Sequence, residues 1–346
     1  MATPVVVKLG GDALASPARI VAQARRLAQW ASAGPLVVVA SARRGVTDHL
    51  VGLVEEVRST IGPDDPNLDG GPAAAEEADR ALASGEVVSA ALLALALNQL
   101  GSRAISLDAR EAGVLVEGPS GEAWIKQIHA ERIEQLLAEG VIPVVTGFQG
   151  WRQGRVATLG RGGSDTTAVA LAVALNADAV RLVKEAAGLR TADPKIVQHT
   201  TAIREAPHGF LTALTRAGSK VVHPDAAELA ERHQLPLEFW SLDGEHPETL
   251  VHGGAVPDST LRATTLQPQH HLPVTVSVLG VALADLHACH GRLTTELEAT
   301  GLHDVTLEDW SHGFRLQAPA LLAGEAVKVL HRVVVQGEPR CCDTAC

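Results

Sequence analysis

Short apolar runs rich in β-branched residues recur along the chain, separated by longer Ala/Leu/Glu/Arg-rich segments with helical spacing. Val5–Lys8, Pro35–Ala40, Ala104–Leu107, Val141–Val145, Ala179–Val183 and Pro236–Trp240 are apolar almost throughout, which suits strands buried on both faces. Residues 17–33, 73–101, 130–140 and 168–175 read as helices, and Gly34 and Gly140 mark helix ends before the next strand. Strand and helix in alternation predict an α/β fold with a mainly parallel sheet covered by helices. Residues 62–72, rich in Gly, Pro and Asp, interrupt the pattern and predict an exposed loop without fixed structure.

Periodicity fades over residues 242–269, where Gly, His, Pro and Thr accumulate. Beyond it, Val274–Leu279 reads as a strand, 282–300 as a helix, 305–307 and 313–317 as short strands and 320–333 as a helix. This βαββα run has the size of a small regulatory module. The expected organisation is a large domain over 1–264, the module over 265–337 and a tail over 338–346.

Composition narrows the classes of function. With 346 residues, 46% of them hydrophobic, the chain has ample material for one large core and one small one. A net charge of −11 argues against nucleic acid or an anionic membrane as the main partner. A local Arg/Lys pocket for an anionic substrate remains compatible with it. No apolar run reaches the roughly 18 residues that span a bilayer, and the N-terminus enters a strand directly, so a cytoplasmic protein is expected. Cys289 stands alone, and Cys341, Cys342 and Cys346 fit no zinc spacing. The fifteen histidines are scattered, with His270 and His271 in the expected linker.

The candidate chemistry is concentrated at strand ends. Thr158–Thr167, Thr-Leu-Gly-Arg-Gly-Gly-Ser-Asp-Thr-Thr, leads into a helix, so an arginine, glycines and an aspartate gather where helix N–H groups are free to hold an anion. Read plainly, the same segment is a Gly-rich turn with a capping Ser or Asp. Lys8-Leu-Gly-Gly11 closes the first strand with a phosphate-cradling pattern, although a simple turn uses the same residues. Ala40–Asp48 follows the second strand, and Ser84-Gly-Glu86 is expected to precede a long apolar helix. Gly188–Lys195 and Gly218–Pro224 lie near the end of the αβ region.

Taken in this order, with Ala83–Ala91 and Gly147-Phe-Gln-Gly150, these pieces resemble the aspartate kinases of the amino acid kinase family over roughly residues 4–260. The resemblance implies a three-layer αβα sandwich and MgATP-dependent phosphorylation of the L-aspartate β-carboxylate to 4-phospho-L-aspartate, the entry to lysine, threonine and methionine synthesis. It further implies that Lys8 and the Gly10 and Gly11 amides act on the γ-phosphoryl group while Asp165 orients the catalytic lysine. By the same resemblance, Arg161, with Gly162 and Ser164, holds a substrate carboxylate. Glu86 pairs with the α-amino group, and Ser41 and Thr47 complete the amino-acid pocket. Lys195 and Lys220, with Val221, are the implied ATP contacts; Lys184, Glu185 and Arg190 are candidate ATP contacts at positions that depart from the family pattern. Mg²⁺ is expected through phosphates and water, with no protein ligand named. The implied nucleophile, a carboxylate, is already ionised at neutral pH and needs no general base.

Four departures from the family pattern stand out. Asp12 follows the glycines, where it is either a harmless N-cap, a metal ligand or a side chain turned away. Residues 184–190 read Lys-Glu-Ala-Ala-Gly-Leu-Arg in place of the usual acidic run, and Arg190 has the shape to stack on adenine. Arg43 and Arg44 occupy positions where small residues are common. The C-terminal segment has room for one ACT-like module, through which a homodimer is expected. Two alternatives accompany the leading reading: a kinase for another acidic amino acid, and a non-catalytic amino-acid-binding paralogue.

Overall fold

The computed structural model describes residues 3–61, 71–185, 188–254, 261–267, 274–280, 290–303 and 305–336. They form two compact units, Met1–Ala187 with Arg232–Pro247, and Gly188–Glu231 with Glu248–Cys346. The boundary expected at 264/265 therefore falls inside the second unit. Its reason is visible in the core: Ile196 and Val197 pack on the C-terminal apolar cluster rather than on the first sheet.

The first unit is built on parallel strands β1 (Val5–Leu9), β2 (Leu36–Ala40), β3 (Ala104–Leu107), β6 (Ile142–Thr146), β9 (Ala179–Lys184) and β13 (Leu237–Ser241), in the order β13-β9-β1-β2-β6-β3. All six lie where the apolar runs predict them. β1 is central, with Lys8 opposite Val39 of β2 and Leu182 of β9. On one face pack α1 (Pro17–Ala33) and α3 (Gly71–Gln99), which contribute Ile20, Ala24, Leu27, Leu93 and Leu97 to the core. On the other packs α5 (Gly163–Ala174), whose Ala168, Val169, Leu171 and Ala172 are buried. Helices α2 (Val46–Ile61) and α4 (Glu131–Ala138) complete the helical cover.

A second, smaller sheet stands beside the first: β4 (Val114–Glu117), β5 (Trp124–Ile128), β7 (Gln149–Arg152) and β8 (Arg155–Thr158), in the order β5-β4-β7-β8. Periodicity does not announce it, because β5, with only half-buried and exposed residues, lacks an apolar stripe. Helix α2 is likewise not marked by the periodicity. None of its residues is buried, so it lacks the stripe on which a helix prediction depends.

Three further expectations are corrected here. Gly71 and Pro72 open α3 rather than closing a loop; residues 62–70 lie outside the described residues. Ser84–Glu86 lies inside α3, not ahead of it. By length and composition alone α3 is apolar enough to cross a membrane, contrary to the reading of the apolar runs. Its buried face carries Asp79, Glu86, Leu93 and Leu97, as in a core helix.

The second unit holds the short strands β10 (Leu189–Arg190), β11 (Ala202–Ile203), β12 (Glu205–Pro207) and β14 (Thr249–His252), with α6 (His208–Arg216) and most of α7 (Pro224–His233). Its antiparallel sheet runs β15 (Ala263–Gln267), β16 (Val274–Leu279), β18 (Gly313–Ala318), β17 (Leu307–Trp310). Helices α8 (His290–Ala299) and α9 (Ala320–Leu330) bury Leu293, Leu297, Val327 and Leu330 against it. The βαββα order is the expected one; β15 is an additional strand, and β17 begins at Leu307 rather than 305. Residues 282–289, the His270–His271 pair and the four cysteines lie outside the described residues.

Candidate active site

Strand alternation decides which side chains meet. Val7, Leu9 and Val183 pack into the α1/α3 core, so Lys8 and Lys184, each one residue out of step, point to the α5 face. Asp165, in the first turn of α5, meets both. Lys8 Nζ stands 2.8 Å from Oδ1, and Lys184 Nζ 2.9 Å from Oδ2. Lys8 is 7% exposed and Asp165 6%. Burial alone would raise the Asp165 carboxyl, but Lys184 and Lys8 outweigh it and hold it far below the usual carboxylate range. Burial also lowers the Lys184 ammonium, opposed by Asp165 and reinforced by Lys8. One carboxylate between two ammonium groups leaves a surplus positive charge in a shielded place, where it acts on an anion far more strongly than in water.

The cradle after β1 differs from expectation in two ways. The Gly10 N–H donates to Val183 O at 3.1 Å, so this amide is committed to the protein and its expected role on the γ-phosphoryl group is corrected. Gly11 accepts from the Arg44 N–H at 3.0 Å, and a Cβ there would lie 2.9 Å from Ala42 O, so only glycine fits. Asp12 is not an N-cap. It sits within the short 3₁₀ helix Gly11–Leu14, and its carboxylate turns to Arg44 at 2.9 Å. The same guanidinium lies 3.3 Å from Glu185. Arg44, exposed and unassigned by the motif reading, thus gathers the two acidic residues that separate this chain from the family pattern.

Glu86 lies within α3, 3% exposed. One carboxylate oxygen accepts from the Ala42 N–H at 2.8 Å; the other, Oε2, is buried with no hydrogen-bond partner among the described residues. Burial pushes the carboxyl up to about 7, tempered by the hydrogen bond from Ala42 and by the field of Lys8. An orphaned acceptor of this kind is costly unless a ligand completes it.

The Thr158–Thr167 segment forms a loop and the start of α5. Gly160 and Gly162 adopt φ of 71° and 75°, conformations that favour glycine, and Gly162 caps α5 with no side-chain bond. The capping role considered for Ser164 and Asp165 is therefore not theirs. Gly163 N–H donates to Gly160 O and Asp165 N–H to Gly162 O. The Ser164 amide makes no hydrogen bond among the described residues. Arg161 is exposed between the two glycines. Ser164 is buried against Gly147, where a Cβ would come within 2.7 Å of its Oγ. Ser41, half-buried, donates its N–H to Leu9 O at 3.2 Å, and Thr47 is half-buried in the first turn of α2.

Lys8, Gly10, Gly11, Ser41, Thr47, Glu86, Arg161, Gly162, Ser164, Asp165, Lys184 and Glu185 thus all belong to the first unit. Arg190, Lys195, Lys220 and Val221 belong to the second. Within it, the Arg190 guanidinium is bound by Thr200, at 2.6 Å to Oγ1 and 2.7 Å to the carbonyl. Lys195 and Lys220 are exposed and Val221 is half-buried.

The profile of the "Amino acid kinase family" matches residues 3–241. An aspartokinase of Geobacillus stearothermophilus is 36% identical over 295 residues, 81% of this chain and 69% of that one. This chain belongs to the aspartokinases of the amino acid kinase family. An aspartokinase of Corynebacterium glutamicum is 33% identical over 343 residues, covering 96% of this chain and 78% of its own. Among solved structures, E. coli aspartokinase III in complex with aspartate and ADP has a TM-score of 0.80 at 22% identity, over 96% of this chain and 99% of that chain. At that identity the match establishes a shared fold. Aspartate kinase from Synechocystis aligns with a TM-score of 0.61 at 29% identity, over 96% of this chain and 55% of that one. The notable feature of this site is the buried lysine pair on Asp165.

Proposed function

We propose that this chain is an ATP-dependent aspartate kinase, transferring the γ-phosphoryl group of ATP to the β-carboxylate of L-aspartate. The observation that carries the reading is the orphaned Glu86 Oε2, an acceptor for an ammonium group, within the field of the Lys8–Asp165–Lys184 centre. Together they match a substrate that carries a positive amine and delivers a negative nucleophile. The carboxylate oxygen forms a bond to phosphorus as the bond to ADP breaks; no proton moves. The work of the protein is to hold two anions together and spread the charge of the group in transit. Lys8 and Lys184 supply that charge, and Asp165 fixes both ammonium groups. Arg161 clamps a substrate carboxylate, Glu86 receives the α-amino group, and Ser41, Thr47, Gly162 and Ser164 line the amino-acid side. By the family resemblance, Lys195, Lys220 and Val221 are assigned to ATP.

Magnesium would be carried in on the nucleotide phosphates and water, since Asp12 and Glu185, the acidic residues beside the cradle, both face the Arg44 guanidinium. Such an ion neutralises phosphate charge. We assign the βαββα segment as an ACT-like module and a homodimer contact, and place the protein in the cytoplasm at the entry to lysine and threonine synthesis.

The reading is tested with purified protein, L-aspartate, MgATP and hydroxylamine, which traps the acyl phosphate as a hydroxamate. Aspartyl hydroxamate is the expected product; folded protein that forms none under any divalent metal would refute the reading. A panel of acidic amino acids in the same assay discriminates a different acceptor, and aspartate binding without nucleotide binding in calorimetry would mark a non-catalytic paralogue. Lys184→Met is expected to lower kcat about 10–100-fold with the KM for aspartate nearly unchanged, measured by coupled ADP release. An unchanged kcat would remove Lys184 from the phosphoryl site.

A further inference from the structure

Two carboxylates on α3 are buried without an ion-pair partner among the described residues: Glu86, and Asp79 seven positions before it. Seven residues are two helical turns, so the two share a face of α3 about 10 Å apart along the axis. Asp79 is 2% exposed. Its Oδ1 accepts from Thr158 Oγ1 at 2.5 Å, and its Oδ2 from the Gly121 N–H at 3.3 Å. Burying a carboxylate on neutral donors is costly, and a well-packed apolar residue would hold two elements together at lower cost. The contact between α3 and the β7–β8 hairpin is moreover secured elsewhere, by Gln149 Nε2 on Ala83 O at 3.0 Å and by Arg155 on Glu76 and Glu77.

What Asp79 adds is control of a loop. Thr158 ends β8 and begins the segment that carries Arg161. Gly121, the second group Asp79 holds, packs on Gly160: a Cβ at Gly160 would lie 2.9 Å from Gly121 O. Both edges of the turn before Arg161 are therefore tied to one carboxylate. We propose that Asp79 is a positioning residue for the amino-acid substrate. It sets the course of residues 158–162 and thereby aims the Arg161 guanidinium, while Glu86 on the same helix receives the amine. Helix α3 then fixes the spacing between the two recognition groups. The inference rests on the proposed role of Arg161.

Asp79→Ala and the near-isosteric Thr158→Val both break the tie, the latter with little risk to folding. Each is expected to raise the KM for aspartate about tenfold while the KM for ATP stays within about twofold. Asp79→Asn is expected to keep near wild-type behaviour, because its amide accepts from Gly121 and donates to Thr158 Oγ1. In an Arg161→Ala background, Thr158→Val should add less than about twofold, since positions acting through one group are not additive. Independently of turnover, hydrogen exchange of peptides covering residues 159–162 should be faster in Asp79→Ala than in the wild type. Additive effects with Arg161→Ala, equal rises in both KM values, or unchanged exchange in that loop would each overturn the proposal. An inactive wild type would instead defeat the kinase reading, and the exchange measurement would still decide the role of Asp79.

Discussion

Lys8→Ala is expected to reduce kcat by about a thousandfold, the scale seen when one preorganised stabiliser of developing charge is removed. The argument is electrostatic. Lys8 stands 2.8 Å from Asp165 in a shielded site, so its ammonium is held in place before substrate arrives and loses little freedom in the reaction. Removing it leaves Asp165 with Lys184 alone, and the surplus positive charge of the centre falls from one to zero. The site then offers the transferring group no net attraction. Glu86 also loses the field that favours its ionised form, so the KM for aspartate should rise by a smaller factor. Steady-state kinetics, with circular dichroism to confirm folding, separate the two effects. A Lys8→Ala variant within a few-fold of wild-type kcat would remove Lys8 from the chemistry.

The centre was partly legible in the chain. Lys8 and Asp165 belong to recognisable segments, and the doubly buried strands around them are apolar enough to be read directly. The pairing of Lys184 with Asp165 is only half-signalled in the sequence: Lys184 follows Leu182 at the strand period of two, and the register of β1 against β9 puts that face on the side of Lys8. The Gly10 amide misled for the opposite reason. A glycine after a strand looks available, and only the register of β1 against β9 shows that Val183 O takes its N–H. Asp79 is invisible in the sequence because it lies in the charged run Glu76-Glu77-Ala78-Asp79-Arg80, and such a run in a helix is ordinarily a solvated face. Its burial depends on the β4–β5 and β7–β8 hairpins, which contacts distant in sequence create. Arg44 settles a different question. Asp12 looks hostile to phosphate in the bare sequence, yet the Arg44 guanidinium draws its carboxylate together with that of Glu185. The features that favoured a non-catalytic paralogue are thereby weakened.

Glu86→Gln is expected to raise the KM for aspartate about a hundredfold and, at pH 8, to stabilise the protein. The two effects have one cause. The Glu86 carboxyl is raised from 4.5 to about 7 by burial, so between these values the unfolded chain is ionised while the folded chain keeps the proton. The corresponding contribution to stability is fully present below about pH 4.5 and is lost as pH rises through about 7. At pH 8 the folded protein carries a buried, half-satisfied carboxylate, an expense of about 3 kcal/mol. Glutamine still accepts from the Ala42 N–H but carries no charge, so the melting temperature of the variant should exceed that of the wild type at pH 8 and approach it near pH 5. Aspartate recovers the same energy in the wild type, because its ammonium meets the ionised Oε2. Binding must therefore release a proton when it starts from the protonated form, and affinity should fall as pH drops from 8 to 6. Titration calorimetry in buffers of different ionisation enthalpy reads the released proton directly. In Glu86→Gln that release should vanish. A variant that keeps the wild-type pH dependence, or binds aspartate as tightly, would show that the substrate amine is received elsewhere.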